Sequence, residues 1–357
     1  MIAAQRILVR APNWAGDLVM ATPAFRALRA AYPSAQLVLH VREALAPLLA
    51  GAPWFDELLP ITSHRRGMAA LLAEARALRA RRFDIGLCLP DSFSSALLMR
   101  CAGVRTAAGY RTQVRGGLLH LAVEPPRGLV ARERHVLGLT AALGCPPRGT
   151  HLELFTTARE EEVVERLLAE RGVGGEEPLA VLAPGASYGS AKRWPAESFA
   201  RVGDALAAEG ARVAISAAPD EAALSRGVAA AMRAPALDLV GRLDLGATKA
   251  LVRRARVVVC NDAGARHVAV AFGVPAVVLF GPTSLAKTDM NLDRVHALAA
   301  DVACRPCYRR ECPIDHRCMK RIEPRPVIDA ALPALRAGRL HGERALAPIG
   351  PLQGGAA

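Results

Sequence analysis

The chain has 357 residues, 52% of them hydrophobic, which suits two buried cores better than one. Lysine and arginine number 46 against 33 acids, a formal charge of +13, which fits an arginine-rich solvated surface, an anionic membrane face or an anionic substrate. Nucleic acid fits least, because the basic residues are dispersed, with no zinc-finger spacing and no aromatic-rich RNA-binding strand; no uncharged apolar run approaches the ~18 residues of a membrane span and no apolar leader opens the chain, so a cytoplasmic protein is the expectation.

In chain order, residues 6–10 (RILVR) read as a short buried strand ending in the turn Ala11-Pro12-Asn13-Trp14-Ala15-Gly16-Asp17. A helical pattern follows with Leu18, Val19, Phe25 and Leu28 on one side; Pro23 either kinks it or restarts it with Thr22 as N-cap. Residues 36–41 are the next strand. Residues 67–82 form an amphipathic helix carrying Leu71, Leu72, Ala75 and Leu78. Residues 84–89 are a strand, and 93–101 a helix introduced by Pro90-Asp91-Ser92. Such alternation implies a parallel sheet covered on both faces. Residues 145–176 read as a connector with a charged helix at 159–171. A second series then begins: strand 179–182, helix 196–208 with Phe199, Val202 and Leu206 inward and Gly210 closing it, strand 212–216, strand 256–260, helix 265–272 and strand 276–280. The expected division is an N-terminal Rossmann-like domain over residues 1–160, a C-terminal one over 175–337, and a loose Gly/Pro/Ala-rich tail at 338–357. Two such α/β domains, with ligand loops at their strand C-termini, leave a cleft between them.

Two segments of the second series concentrate the chemistry. Pro184-Gly185-Ala186-Ser187-Tyr188-Gly189-Ser190-Ala191-Lys192-Arg193-Trp194-Pro195 and Asn261-Asp262-Ala263-Gly264-Ala265-Arg266-His267 each follow an apolar strand and open into a helix. Backbone N–H groups, a helix N-terminus and cations at one sheet edge suit a diphosphate. Gly264 permits close backbone approach to a ligand, and His267 can donate to a phosphate oxygen. A capping aspartate and a packed histidine are the structural alternative for Asp262 and His267, and a surface cation pair for Lys192 and Arg193. The P-loop spacing is absent and no first turn shows G-x-G-x-x-G, which argues against phosphate cleavage on a P-loop and against a nicotinamide cofactor. Asp17, the one acid of the first strand–helix turn, can accept a proton from a hydroxyl nucleophile. The helix N-terminus would lower its basicity and burial would raise it; a plain acid of the first helical turn is the alternative.

Four of the eight cysteines cluster as C-x2-C-x4-C-x5-C at Cys304, Cys307, Cys312 and Cys318, with His316 beside the last. Thiolates so spaced could wrap a structural zinc or form a reduced loop that binds nothing; the second pair lacks the tight C-x-x-C spacing.

Taken together, Trp14-Ala15-Gly16-Asp17, Leu89-Pro90-Asp91-Ser92-Phe93-Ser94-Ser95-Ala96-Leu97, Pro184-Gly185-Ala186 with Ala191-Lys192-Arg193-Trp194-Pro195, Asn261-Asp262-Ala263-Gly264 with His267-Val268-Ala269, and Gly281-Pro282-Thr283-Ser284 resemble the ADP-heptose:lipopolysaccharide heptosyltransferases, glycosyltransferase family 9, and most closely their type II branch. The resemblance implies a GT-B fold and an inverting transfer of heptose from ADP-heptose to the inner-core heptose of lipopolysaccharide. It implies Asp17 as general base, Lys192 on the diphosphate, and Ser187, Glu221, Asp262, Gly264, Ala265 and His267 about the donor, with Glu221 facing the ribose hydroxyls. Ala263 stands where many members carry serine. Arg65, Arg66, Arg111 and Arg115 become candidates for the acidic acceptor, a lipid A–Kdo–heptose, at the inner face of the inner membrane. Fixed cations and N–H donors can replace a metal, so no cofactor is expected beyond the possible zinc. A type I or III acceptor step, a nucleotide-sugar epimerase of the same architecture, and a non-enzymatic nucleotide-sugar-binding module remain the competing readings.

Overall fold

A computed structural model describes residues 2–61 and 67–337. The N-terminal half runs β1 (Arg6–Arg10), α1 (Ala15–Met20), α2 (Thr22–Ala31), β2 (Gln36–Arg42), β3 (Glu57–Ile61), α3 (Met68–Arg79), β4 (Ile85–Cys88), α4 (Phe93–Cys101), β5 (Thr106–Tyr110), β6 (Leu121–Val123) and α5 (Arg132–Ala142). The connector supplies α6 (Ala158–Ala169). The second half runs β7 (Leu179–Ala183), α7 (Ala196–Ala208), β8 (Arg212–Ile215), α8 (Ala222–Ala231), β9 (Leu237–Asp238), α9 (Leu245–Arg254), β10 (Val257–Asn261), α10 (Gly264–Ala271), β11 (Ala276–Phe280), β12 (Val295–Ala299), α11 (Arg317–Lys320) and α12 (Pro324–Ala337).

The strands form two six-stranded sheets, ordered β3-β2-β1-β4-β5-β6 and β12-β11-β10-β7-β8-β9, and every pairing is parallel. Parallel strands covered on both faces should be apolar throughout, and β7, β10 and β11 are buried at every residue. In each sheet the strand order reverses once, between β1 and β4 and between β7 and β10. Loops leaving the carboxyl ends of strands at such a reversal diverge and open a crevice. The four loops at these two reversals carry Asp17, Asp91, Lys192 and Asp262.

The Pro23 alternatives resolve as a break. α1 stops at Met20, and α2 starts at Thr22 with the proline in its first turn, where the missing N–H costs nothing. Thr22 is inside α2 rather than its cap, and its hydroxyl donates to Val19 O.

The halves are pinned to each other away from the crevice. Lys249 of α9 is fully buried and donates to Pro47 O at 2.8 Å and Ala50 O at 2.9 Å, with Glu160 of α6 at 3.2 Å. A buried ammonium demands such a full set of partners, so this lysine fixes α9 against the 43–49 segment. Arg26 of α2 ties the connector to the first domain through Arg148 O and Glu153, both at 2.9 Å.

Candidate active site

The two reversals face one cavity of about 710 Å3. From the N-terminal side it is lined by Trp14, Gly16, Asp17, Arg132, His135 and the 125–130 loop; from the C-terminal side by Ser187, Tyr188, Lys192, Asp262, Gly264, His267, Thr283, Ser284 and Lys287. The N-termini of α1 and α10 meet at its floor. A Cβ on Gly264 would stand 3.4 Å from Ala15 Cβ, and one on Gly16 only 3.0 Å from the His267 ring. Small residues here let two sets of free helix N–H groups converge.

On the C-terminal wall, Lys192 Nζ donates to the Asp262 carboxylate at 2.8 Å and to the Asp262 carbonyl at 2.7 Å. Thr283 donates to the same carboxylate oxygen at 2.7 Å, and Arg266 lies 3.5 Å from the other. Burial would push the Asp262 carboxyl up, but Lys192, Thr283 and Arg266 together hold it below the usual range. Asp262 is thus first of all the anchor that aims Lys192. The loop carrying that lysine is clamped by Asn261, whose Nδ2 donates to Pro184 O at 2.7 Å and whose Oδ1 accepts from Trp194 N at 3.2 Å. Trp194 is buried edge-on to Phe199, with its indole N–H on Ile322 O.

His267 is buried, and desolvation, with Arg266 and Lys192 nearby, lowers its pKa to about 3. It is a neutral imidazole. It adds an N–H donor to the wall but no charge; the cations of this wall are Lys192, anchored by Asp262, and Lys287.

On the N-terminal wall, Asp17 lies in the first turn of α1 with 32% of its side chain open. Burial leaves its pKa above the usual carboxylate range, and Arg132, then Lys192, offset only part of that rise. Among the described residues no hydrogen bond holds its carboxylate. Arg132 of α5 is the nearest cation, its Nε 3.8 Å from Asp17 Oδ1.

Several expected residues stand elsewhere. Glu221 does not line the cavity: its carboxylate accepts from Ala186 N at 2.7 Å and pairs with Arg193 at 3.0 Å. The 184–187 loop passes so close that a Cβ on Gly185 would collide with it. Through Oε1 it braces the donor-side loop. Arg115 is wholly buried. It donates to Tyr110 O at 2.8 Å, Ser92 O at 3.1 Å, Ser95 Oγ at 2.9 Å and Asp91 at 3.2 Å, and also to Pro90 O, so it is a scaffold for the loop after β4 and has no face left for an acceptor. Arg111 is exposed and paired with Glu124, outside the cavity lining. Ala265 is half-buried beside Gly264, and its side chain does not line the cavity either. Arg65, Arg66 and the 338–357 tail lie outside the described residues. Cys304 and Cys307 are exposed and Cys318 is buried; burial, then Cys304, Cys312 and Cys307 close by, push the Cys318 thiol up. Among the described residues no three His, Cys, Asp or Glu side chains are grouped tightly enough to hold a metal ion as they stand. The cysteine segment also buttresses the donor-side loops. Cys307 N and Tyr308 N both donate to Pro282 O, Ala191 N donates to Arg310 O at 2.9 Å, and the His316 ring bonds Ala191 O at 2.7 Å.

A family model described as glycosyltransferase family 9 (heptosyltransferase) matches residues 71–317. Lipopolysaccharide heptosyltransferase 2 of Salmonella typhimurium is 30% identical over 296 residues, spanning 78% of this chain and 83% of the relative. The Escherichia coli protein of the same name is 30% identical over 299 residues, with the same coverage of both chains. Among solved structures, the E. coli ADP-heptose lps heptosyltransferase II superposes with a TM-score of 0.80 at 25% identity, covering 93% of this chain and 99% of that one. The E. coli heptosyltransferase WaaC with ADP-2-deoxy-2-fluoro heptose shares the fold, with a TM-score of 0.67 at 17% identity over 91% of this chain and 98% of that one.

Proposed function

The chain belongs to glycosyltransferase family 9, the heptosyltransferases, and from that premise we propose that it moves heptose from ADP-heptose to the inner-core heptose of lipopolysaccharide, the type II step. One observation carries the mechanism: Asp17 and Lys192, from opposite domains, line the same cavity. The diphosphate lies along Lys192 and the N–H groups that open α10 at Gly264. The acceptor hydroxyl approaches from the α1 side. Asp17 takes the hydroxyl proton as the oxygen attacks the anomeric carbon. The bond from that carbon to the diphosphate breaks on the opposite face, so a β-linked donor gives an α linkage. Lys192 and the helix N–H groups stabilise the departing ADP, and the neutral His267 can add one further hydrogen bond. A fixed ammonium in a confined site meets the developing charge directly, so transfer proceeds without a divalent metal.

The acceptor's lipid brings the protein to an anionic bilayer as a peripheral protein at the cytoplasmic face of the inner membrane. Trp14, Phe93, Val114 and Leu129 support this contact: they are 45%, 45%, 97% and 53% exposed and follow β1, β4, β5 and β6 along one rim of the first sheet. Among the described residues no helix is long and apolar enough to cross a membrane.

A transfer assay with inner-core acceptors carrying no heptose or one heptose tests the step. Transfer only to the one-heptose acceptor is expected. Transfer to the heptose-free acceptor would assign the earlier step, and conversion of the donor sugar without any acceptor would replace the reading with an epimerase.

A further inference from the structure

Arg132 occupies the first position of α5, and its guanidinium spans two carboxylates. Its Nε is 3.8 Å from Asp17 Oδ1, a terminal nitrogen is 3.7 Å from Asp91 Oδ2, and the other terminal nitrogen donates to Leu89 O at 3.4 Å. One turn later, His135 Nε2 lies 3.3 Å from the same Asp91 oxygen, with its ring 4.2 Å from that of Tyr110. Asp91 is held from below by the buried Arg115. The result is a file of alternating charge, Arg115–Asp91–Arg132–Asp17, running from the core to the cavity. Arg132 Nε and His135 Nε2 are both buried without a hydrogen-bond partner.

We propose that Arg132 is a positioning residue for the transfer step: anchored by Asp91, it holds the Asp17 carboxylate ionised and aimed into the cavity while leaving its oxygens free to take a proton. The proposal rests on Asp17 being the base. The separation is what makes the arrangement useful. A short bidentate contact would occupy the carboxylate lone pairs and weaken the base. At 3.8 Å the charge acts without a hydrogen bond, and the oxygens remain available. An acceptor phosphate is a poor alternative occupant for this guanidinium, since it would meet Asp17 and Asp91 at the same place. The charged and titratable groups facing Asp17 are Arg132 and His135 of α5, Asp91 from the loop after β4, Lys192 from across the cavity, and the neutral His267 of α10. Of those that favour its anion, Arg132 acts most strongly.

The test is the pH profile of kcat/KM for wild type, Arg132→Gln, Arg132→Lys and Asp17→Asn. The base must be ionised to act, so losing the neighbouring cation moves the acid limb upward. An opposite charge at this range lowers a carboxyl by about 1–3 pH units, so the Arg132→Gln limb should rise by about one unit or more. Its deficit should then shrink as pH increases, and Arg132→Lys should restore part of the shift. A purely structural residue would lower the profile without moving it. An unmoved limb in Arg132→Gln beside an inactive Asp17→Asn would overturn the positioning role and leave the base assignment standing. A raised acceptor KM with an unmoved limb would make Arg132 an acceptor contact instead. An active Asp17→Asn with the wild-type limb would remove the base assignment itself.

Discussion

Replacing Lys192 by methionine keeps most of the side-chain volume and deletes the charge. Two consequences follow, and they separate. The first is on stability. Asp262 loses a cation at 2.8 Å while its side chain is only 10% exposed. Breaking a buried pair costs about 3–5 kcal/mol. Here Thr283 still donates at 2.7 Å and Arg266 remains at 3.5 Å, so the cost should sit at the lower end, about 3 kcal/mol. The second is on chemistry. Removing one preorganised donor to a developing anion typically costs about 10²–10³ in rate, and the ground-state diphosphate loses the same partner, so ADP affinity should fall as well. The double variant Lys192→Met/Asp262→Asn removes the stranded carboxylate. It should recover much of the lost thermal stability and none of the transfer rate or ADP affinity. Thermal unfolding, ADP titration calorimetry and single-turnover transfer on the three proteins read each part independently. A Lys192→Met protein that binds ADP like wild type and turns over within a few-fold of it would refute the placement of the diphosphate on this wall.

The folded His267 pKa of about 3 lies below the ordinary 6.5, so between those pH values the unfolded chain binds a proton that the folded one refuses. Its contribution to stability is complete above pH 6.5 and falls by about 1.4 kcal/mol per pH unit below that; His267→Gln should flatten denaturant-measured stability across this acid window, and an unchanged slope would contradict a buried neutral ring. Arg115→Met should lower thermal stability markedly, because five polar partners are left in the core, yet the folded fraction should keep the wild-type acceptor KM; a raised KM with normal stability would return this arginine to the acceptor site. Transfer should persist at full rate in excess EDTA, measured on chelator-treated protein, and a loss restored by added magnesium would show that the fixed cation is insufficient.

The parts of the fold legible in the sequence were those whose signal is local. Buried parallel strands such as Leu179–Ala183 and Ala276–Phe280 are uninterrupted apolar runs, and Ala196–Ala208 keeps a helical period with glycine just beyond it. The outer strands left little trace: Glu57–Ile61 contains Pro60, Leu121–Val123 has three residues, Leu237–Asp238 has two, and Val295–Ala299 is half exposed. Helix Arg132–Ala142 was hidden because it buries Glu133 and Thr140 as well as leucines, which erases the apolar stripe. At the site, Asp17, Lys192, Asp262 and His267 stood out because each sits in a strand-to-helix turn. The roles of Arg132, Asp91, Asn261 and Thr283 depend on partners brought together by the fold. Thr283 meets Asp262 across 21 residues, and Asn261 holds Pro184 across 77. Arg115 misled for the same reason in reverse, since nothing near it in sequence reveals that carbonyls already claim its charge.

The central claim is that a carboxylate from one domain activates the acceptor while the other domain holds the nucleotide sugar. Single-turnover transfer by Asp17→Asn, with ADP affinity measured on the same preparation, tests it most directly. The account predicts ADP binding close to wild type and transfer slower by about 10²–10⁴, the range a general base contributes. Transfer near the wild-type rate, or loss of ADP binding in step with transfer, would contradict it.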